Sequence, residues 1–415
     1  MPVKKPPGLS IDINITNGGY NSIEEDDQGL ITTYRAEGLS IGRNYLRFQG
    51  NYISHFQSLE DFIELGIIGR GISSVVKKAK LNNTEDGYGK MQFYALKVLS
   101  LGNPANQNIH FPAIDGQKDE EVEMKQSSML IQELKMLCQL NCECLIPLVG
   151  AFYEPGVSVT MVLEYMDCGS ISDFLDSLPR NGSKRFSEEA VISIAYQILN
   201  ALEYLHGEHI LHRDIKPANV LLDTSGSVKL SDLGLSGLAR YARRDQDQLE
   251  NTSGLNHTIC GTSLYLSPER LRDKAYGSPS DIWAFGLVIL ECATGGWNPL
   301  IHGSKFGNCP KKHRRSRSII DLAVILEDFD VENMFFELQQ ADTDTVIDWK
   351  LESERENGIG EIIRFSLQKM PDKRIPAKLL LKSPCFEEYY IDSIDAAHLV
   401  MQEFLTSVEA TRKCI

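Results

Sequence analysis

The chain has 415 residues, enough for one large domain or two ordinary ones. Apolar residues make up 42% and charged residues 24%, the balance of a globular protein, and no apolar run reaches membrane-span length. A net charge of −15 argues against general nucleic-acid binding, which needs excess positive charge facing phosphate. The start lacks the apolar core of a signal peptide and the glycine needed for myristoylation. Nine cysteines are scattered without a disulfide-type framework. A reducing compartment is therefore expected, the cytoplasm first and the nucleus second.

The first stretch, MPVKKPPGLSIDINI, puts Lys4 and Lys5 before a proline pair, then alternates Leu9, Ile11, Ile13 and Ile15 with polar residues. Residues 1–28 are otherwise polar and acidic and read as a mobile tail. Residues 29–60 form an extension in which LITTYRAEGLSIGRNYLRF suggests a small β-hairpin around Gly38. From Leu59 to about Tyr165 short β-rich runs dominate, with one helix near 128–138. After Gly169 helical periods take over. The expected class is α+β, a small β-rich lobe followed by a larger helical lobe, with ligands between them. Three polar stretches, 102–125, 241–254 and 303–318, look like insertions, and the last carries a basic cluster at 311–317.

In IIGRGISSVV, Gly69, Gly71 and Ser74 occupy a G-x-G-x-x-G pattern with serine at the third place. Between two strands such a turn lays backbone N–H groups over phosphates; alone, it is also an ordinary glycine hairpin. Lys97 lies inside the apolar run YALKVL, where an ammonium needs an anionic partner. The helical run MLIQELKML supplies Glu133 for it, with Leu134 and Leu137 turned to the core. In LHRDIKPANVLL, Asp214 is placed to accept a proton from an attacking hydroxyl. Lys216 would neutralise the transferred phosphoryl group, and Asn219 would bind a metal. KLSDLGLS adds Asp232, a second metal ligand after a short strand. These motifs, in this order, resemble the eukaryotic protein kinases. SPE at 267–269, SDIWAFG with Asp281 and Trp283, and PDKRIP with Arg374 extend the resemblance over 61–386. It implies a two-lobed protein kinase fold with ATP and Mg2+ as cofactors. One departure is Leu233, where the family usually has phenylalanine; leucine keeps the apolar character and loses aromatic contact area.

Four longer strings, IQELKML…LIPLVGAFYEPG, LEYMDCGSISDFL, HRDIKPANVLL and GTSLYLSPERL, are similar to the MAP kinase kinases. The resemblance implies an enzyme that phosphorylates Thr and Tyr in the activation loop of a MAP kinase. Such an enzyme is itself switched on by an upstream MAP kinase kinase kinase, through phosphorylation between D-x-G and P-E. Thr258 matches the second of those sites, and Thr252 and Ser253 both stay open as the first. In the family pattern Leu163 lies behind the adenine, and backbone groups of Glu164 and Met166 bond to it. Ile68, Gly69, Arg70, Gly71 and Ser74 would cover the nucleotide, Val76, Ala95 and Leu221 would line it, and Ser170 would lie near the ribose. Family members carry an N-terminal docking peptide, basic residues then apolar-x-apolar, which Lys4, Lys5, Leu9 and Ile11 fit; a strand is the competing reading. The 387–415 extension holds IDAAHLVMQEFL, of helical period. It is either a docking segment for the upstream kinase or a helix capping the large lobe. The expected function is an active MAP kinase kinase. A kinase of an upstream tier and a kinase-shaped scaffold are the alternatives.

Overall fold

A computed structural model of the chain describes residues 10–13, 21–25, 31–36, 39–42, 45–49, 51–52, 56, 58–70, 74–85, 91–100, 134, 137–154, 158–177, 186–233, 264–272, 274–296, 298, 329–334 and 358–413. They fall into two compact units: Met1–Asn141 with Ile146–Tyr165, and Cys142–Leu145 with Met166–Ile415.

The first unit holds two antiparallel sheets. One is a meander of six strands in chain order: β1 (Ser10–Ile13), β2 (Asn21–Glu25), β3 (Ile31–Ala36), β4 (Leu39–Gly42), β5 (Tyr45–Phe48) and β6 (Asn51–Tyr52). Its register puts Ile11, Ile23, Tyr34, Ile41 and Leu46 in one row across five strands. The adjacent row, Asp12, Ser22, Arg35, Ser40 and Arg47, is polar. Across β4 and β5, Leu39, Ile41, Leu46 and Phe48 are buried while Arg47 is exposed, the pattern of a half-buried antiparallel sheet. Two strands thus fall inside the stretch read as a mobile tail, and the hairpin around Gly38 is one part of a larger sheet. Ile11 and Ile13 pair with Ile23 and Asn21 of β2.

The second sheet has the order β10-β11-β9-β8-β7. Its strands are β7 (Phe62–Arg70), β8 (Ser74–Glu85), β9 (Met91–Ser100), β10 (Leu148–Glu154) and β11 (Ser158–Glu164). Side chains alternate across it. Ala151, Tyr153, Val159 and Met161 are buried with Leu39, Ile41, Leu46 and Phe48 of the meander and with Leu134. Phe152 and Val162, out of phase by one, join Phe62, Ala79, Tyr94 and Leu96 on the other face. There Phe56, Phe62 and Tyr94 meet edge to face at 4.8–5.6 Å. Residues 134 and 137–139 are helical, at the end of the stretch expected to be a helix and one residue beyond it.

The second unit is mostly helical. It contains β12 (Gly169–Ser170), α1 (Ile171–Ser177), α2 (Glu188–Gly207), β13 (Val220–Leu222), β14 (Val228–Leu230), α3 (Pro268–Leu271), α4 (Ser278–Thr294), α5 (Ile359–Ser366), α6 (Ala377–Leu380), α7 (Pro384–Glu388) and α8 (Ile394–Lys413). Ser187 begins α2 by accepting the Ala190 N–H at 3.3 Å, and Glu188 and Glu189 fill the first turn, where the helix dipole favours acids. Helix α4 is buried from Ser280 to Ala293 and ends at Gly295, whose φ of +70° closes the helix without a Cβ penalty.

Helix α8 lies along α2. Ala397, Met401 and Leu405 are buried, and Phe404 packs on Phe174 and Phe186 with ring centroids 5.7 and 5.5 Å away. The Ser193 hydroxyl of α2 donates to the Ala397 carbonyl at 2.7 Å. Gln197, also on α2, donates to the Gly226 carbonyl at 3.2 Å and accepts the Val228 N–H at 2.8 Å, fixing the β13–β14 turn. Ala397, Met401 and Leu405 of the apolar stripe therefore pack inside the unit, as a capping helix would, while Leu399 of the same stripe is exposed. No helix among the described residues is long and apolar enough to cross a membrane.

Gly226 has φ +87°, and a Cβ there would run into the His398 carbonyl of α8 and lie 2.8 Å from the Gln402 nitrogen. Gly226→Ala is expected to lower stability by about 2 kcal/mol or more, combining left-handed strain with the clash. A urea melt of the whole chain measures it; an unchanged midpoint would refute the close approach.

Candidate active site

Strand register gathers several expected nucleotide-site residues of the first unit on one sheet face. Gly69 pairs with Val76, Val76 with Lys97, Lys97 with Met161, and Ala95 with Leu163. Lys97 is only 7% exposed, so its ammonium needs an anion. Glu133, its expected partner, lies outside the described residues, as does Gly71. A Cβ on Gly69 would rest at an ordinary 3.5 Å from Val76. Nothing in the described chain demands glycine there, whereas a ligand approaching the backbone would. Ile68 is half-exposed, Arg70 is exposed and Ser74 opens β8. Glu164 ends β11, and Met166 is buried at the start of the second unit.

The second unit carries the proton-transfer and metal-type residues. Pro217 opens a single 3-10 turn, Pro217–Asn219, and the Asn219 N–H closes on the Lys216 carbonyl at 2.9 Å. That turn folds Lys216 and Asn219 back onto Asp214. Asp214 Oδ2 accepts from Lys216 Nζ at 2.8 Å and from Asn219 Nδ2 at 2.9 Å. Asn219 Nδ2 also donates to the Asp214 carbonyl at 2.7 Å. Asp214 Oδ1 is buried with no hydrogen-bond partner among the described residues. One oxygen of the carboxylate is thus clamped, and the other is left to take a proton. With its nitrogen committed, Asn219 keeps its carbonyl oxygen for a cation.

Asp232 follows β14 at φ +56° and is exposed. The residue before it is held firmly: the Ser231 N–H donates to the Asn219 carbonyl at 2.8 Å, and the Ser231 carbonyl meets His212 Nε2 at 3.1 Å. His212 is wholly buried, and its Nδ1 faces the Asp214 N–H at 3.4 Å. Burial lowers the His212 pKa against the pull of Asp281, Asp214 and Asp232, so the ring is neutral. A neutral ring with Nε2–H donating to Ser231 and Nδ1 accepting from Asp214 satisfies both contacts.

Beneath this loop sits Asp281, in the first turn of α4. Its Oδ2 accepts the His212 N–H at 2.9 Å and meets His206 Nε2 at 3.0 Å; its Oδ1 accepts the Arg213 N–H at 2.8 Å. Burial works to raise its pKa, yet His206, His212 and the Arg213 N–H outweigh burial and hold the carboxyl below its ordinary value. Arg213 takes φ +66°, a conformation unusual for a residue with a Cβ. SDIWAFG marks Asp281 as a kinase residue, but its hold on 212 and 213 appears only in three dimensions.

Ser170 has a second task. Its N–H and hydroxyl both donate to Asp173 Oδ2, at 2.9 and 2.6 Å, and its oxygen accepts the Asp173 N–H at 3.1 Å. This reciprocal cap starts α1 and occupies the hydroxyl expected near the ribose. Leu221, half-buried, pairs with Ser170 across β12 and β13. Of the docking residues, Ile11 lies in β1 opposite Ile23, the strand reading of that alternation. Lys4, Lys5, Leu9, Thr252, Ser253 and Thr258 lie outside the described residues, as do the three insertions.

Residues 62–386 match the protein kinase domain family. Mitogen-activated protein kinase kinase 2 of Arabidopsis thaliana is 33% identical over 341 residues, 82% of this chain and 76% of that protein. Mitogen-activated protein kinase kinase SIPKK of Nicotiana tabacum is 36% identical over 238 residues, 57% of this chain and 55% of that one. Dual specificity mitogen-activated protein kinase kinase 1 of Dictyostelium discoideum is 34% identical over 258 residues, 61% of this chain and 33% of that one. The chain therefore spans most of the first relative and between a third and a little over half of the other two. It belongs to the protein kinases and, within them, to the MAP kinase kinase family.

One buried acid lay outside sequence reasoning altogether. Glu291 of α4 accepts from Asn298 Nδ2 at 2.6 Å. Burial pushes its pKa up to about 7, against hydrogen bonds from Asn298 and Tyr265. The folded chain therefore holds this proton more tightly than the unfolded chain, and stability falls as pH rises from the ordinary 4.5 to about 7. The loss is roughly 1.4 kcal/mol per pH unit. Glu291→Gln is expected to remove that slope. Urea melts of both proteins between about pH 5 and about pH 8 measure it, and parallel profiles would refute the assignment.

Proposed function

We propose that the chain transfers the γ-phosphoryl group of ATP to Thr and Tyr in the activation loop of a MAP kinase. We further propose that an upstream MAP kinase kinase kinase activates it at Thr258 and at Thr252 or Ser253. The observation that carries this reading is the divided Asp214 carboxylate, with Oδ2 held by Lys216 and Asn219 and Oδ1 unpartnered. The MAP kinase kinase relatives supply the substrate class.

The chemistry follows from the donors present. Asp214 Oδ1 would take the proton of the substrate hydroxyl as that hydroxyl oxygen bonds to the γ-phosphorus and the bond to the leaving ADP breaks. Lys216 places a positive charge 2.8 Å from the same carboxylate, where it also neutralises charge on the moving group. The oxygens of Asn219 and Asp232 are the hard ligands Mg2+ prefers, so the residues present fit that ion. When bound, Mg-ATP supplies the phosphoryl group and much of the charge neutralisation. On the first unit, buried Lys97 offers a cation suited to nucleotide phosphates.

The test uses protein with Thr252, Ser253 and Thr258 changed to acidic residues, and in parallel wild-type protein activated in cells. Each is incubated with ATP, Mg2+ and a panel of catalytically inactive MAP kinases, and modified peptides are mapped by mass spectrometry. Phosphate on both Thr and Tyr of a T-x-Y loop is expected, falling by about a hundredfold or more in Asp214→Asn. Phosphate confined to serine and threonine elsewhere would move the chain to an upstream tier. Nucleotide binding without transfer in both preparations would make it a scaffold.

A further inference from the structure

We propose that Arg270 is a positioning residue for phosphoryl transfer, acting on the catalytic loop through the Arg213 carbonyl. Arg270 lies on α3, directly after Glu269. Its Nη1 donates to the Arg213 carbonyl at 2.8 Å. That is the one hydrogen bond of its guanidinium among the described residues, and it goes to a backbone oxygen although the group is charged.

The bond falls where the loop needs it. Residue 213 is left-handed, and its N–H is held by Asp281. Its carbonyl belongs to the same peptide plane as the Asp214 N–H. On the Asp214 side that plane has a long contact, 3.4 Å to His212 Nδ1. On the carbonyl side it has the short, charge-assisted bond from Arg270, the stronger of the two. Arg270 therefore sets the tilt of the peptide from which the Asp214 side chain projects. A change in that tilt re-aims Oδ1, the oxygen that takes the proton.

Arg270 is itself immobilised. Its guanidinium stacks 5.0 Å over the Tyr276 ring, which the Arg213 guanidinium also approaches at 5.6 Å. Glu269 beside it makes a two-pronged ion pair with Arg374 at 2.7 and 2.8 Å. The Ser280 hydroxyl donates to the same Glu269 carboxylate at 2.6 Å and immediately precedes Asp281. One framework thus holds both ends of residue 213, Asp281 by the N–H and Arg270 by the C=O. A small cavity bounded by Arg213, Asp214, Tyr265, Leu266, Arg270 and Asp281 lies against this arrangement, so the tilt has room to change when Arg270 is removed.

The catalytic arm of the test rests on the proposed phosphotransferase activity; the second arm does not. Arg270→Ala and Arg270→Lys are compared with wild type and with Arg272→Ala, an exposed neighbour, in the full chain. In Arg270→Ala, kcat is expected to fall by between about tenfold and a hundredfold while KM for ATP stays unchanged. Arg270→Lys should recover part of the loss. Amide hydrogen exchange across 211–216 should speed up by about tenfold in Arg270→Ala and not in Arg272→Ala, as the loop opens locally. Wild-type exchange in Arg270→Ala, or a fall in melting temperature with kcat intact, would overturn the proposal. If wild-type enzyme transfers no phosphate, the functional reading fails, and the exchange comparison still decides the role of Arg270. If Arg270→Ala does not fold, the same readings on Arg270→Lys decide it, because its shorter reach weakens the bond and keeps the charge.

Discussion

The catalytic loop depends on one carboxylate that has almost no contact with water. Asp281 is 2% exposed, and a buried charge of this kind is costly unless every lone pair has work to do. Here the backbone N–H groups of His212 and Arg213 and the ring of His206 converge on it. The same bonds offset the strain of a left-handed residue at 213, roughly 1–3 kcal/mol. Desolvation and backbone strain are each unfavourable alone and sustain one another together. The first turn of a helix is a favourable place for such an acid, because the dipole adds positive potential there.

Asp281 can hold the loop only if the start of α4 does not move. That stiffness comes from Arg374, whose five N–H groups all find acceptors: both oxygens of Glu269 and the carbonyls of Gln368, Pro279 and Lys369. The guanidinium also lies 5.1 Å over Trp283. Burial acts to raise the Glu269 pKa, and the bonds from Arg374 and Ser280 bring it below its ordinary value. A buried pair like this adds little net stability compared with apolar residues of the same shape. Its contribution is geometric, since it ties α3, the start of α4 and the 368–374 turn to one planar group. Lysine could not do this, because an ammonium offers three donors and no fork.

The cluster around Asp214 was legible in the sequence because its parts lie close together. Asp214, Lys216 and Asn219 fall within one short turn, so spacing alone brings them together. Sheet positions were legible for a similar reason: period two carries Val76, Ala95, Lys97 and Leu163 to one face once the strands pair. The N-terminal region was not, because alternation at Ile11 and Ile13 suits both a docking peptide and a strand. The choice depends on whether Ile23, Tyr34 and Ile41 come into register beside it, which is a non-local matter. The stripe on α8 was ambiguous in the same way. Its packing depends on a turn about 170 residues earlier in the chain, where Gly226 leaves room for the His398 carbonyl. Arg270 and Glu291 left no sequence signal, since a backbone carbonyl can accept from any arginine and burial of one acid cannot be read from its neighbours.

The same logic explains why leucine serves at 233. If the ring of a phenylalanine were what aimed the preceding aspartate, its loss would loosen Asp232. The backbone that leads into Asp232 is instead held by Ser231. The Ser231 backbone is tied to Asn219 at 2.8 Å and to His212 at 3.1 Å, and its hydroxyl reaches the Asn219 carbonyl at 3.2 Å. Leu233 has only to fill apolar space, and at 3% exposure it does so. The metal-type residues Asn219 and Asp232 are thus joined through Ser231, and His212 joins that strand to the peptide of Asp214. Position 233 packs beside this chain of bonds, which runs through the backbone and hydroxyl of 231, the ring of 212 and the backbone carbonyl of 219.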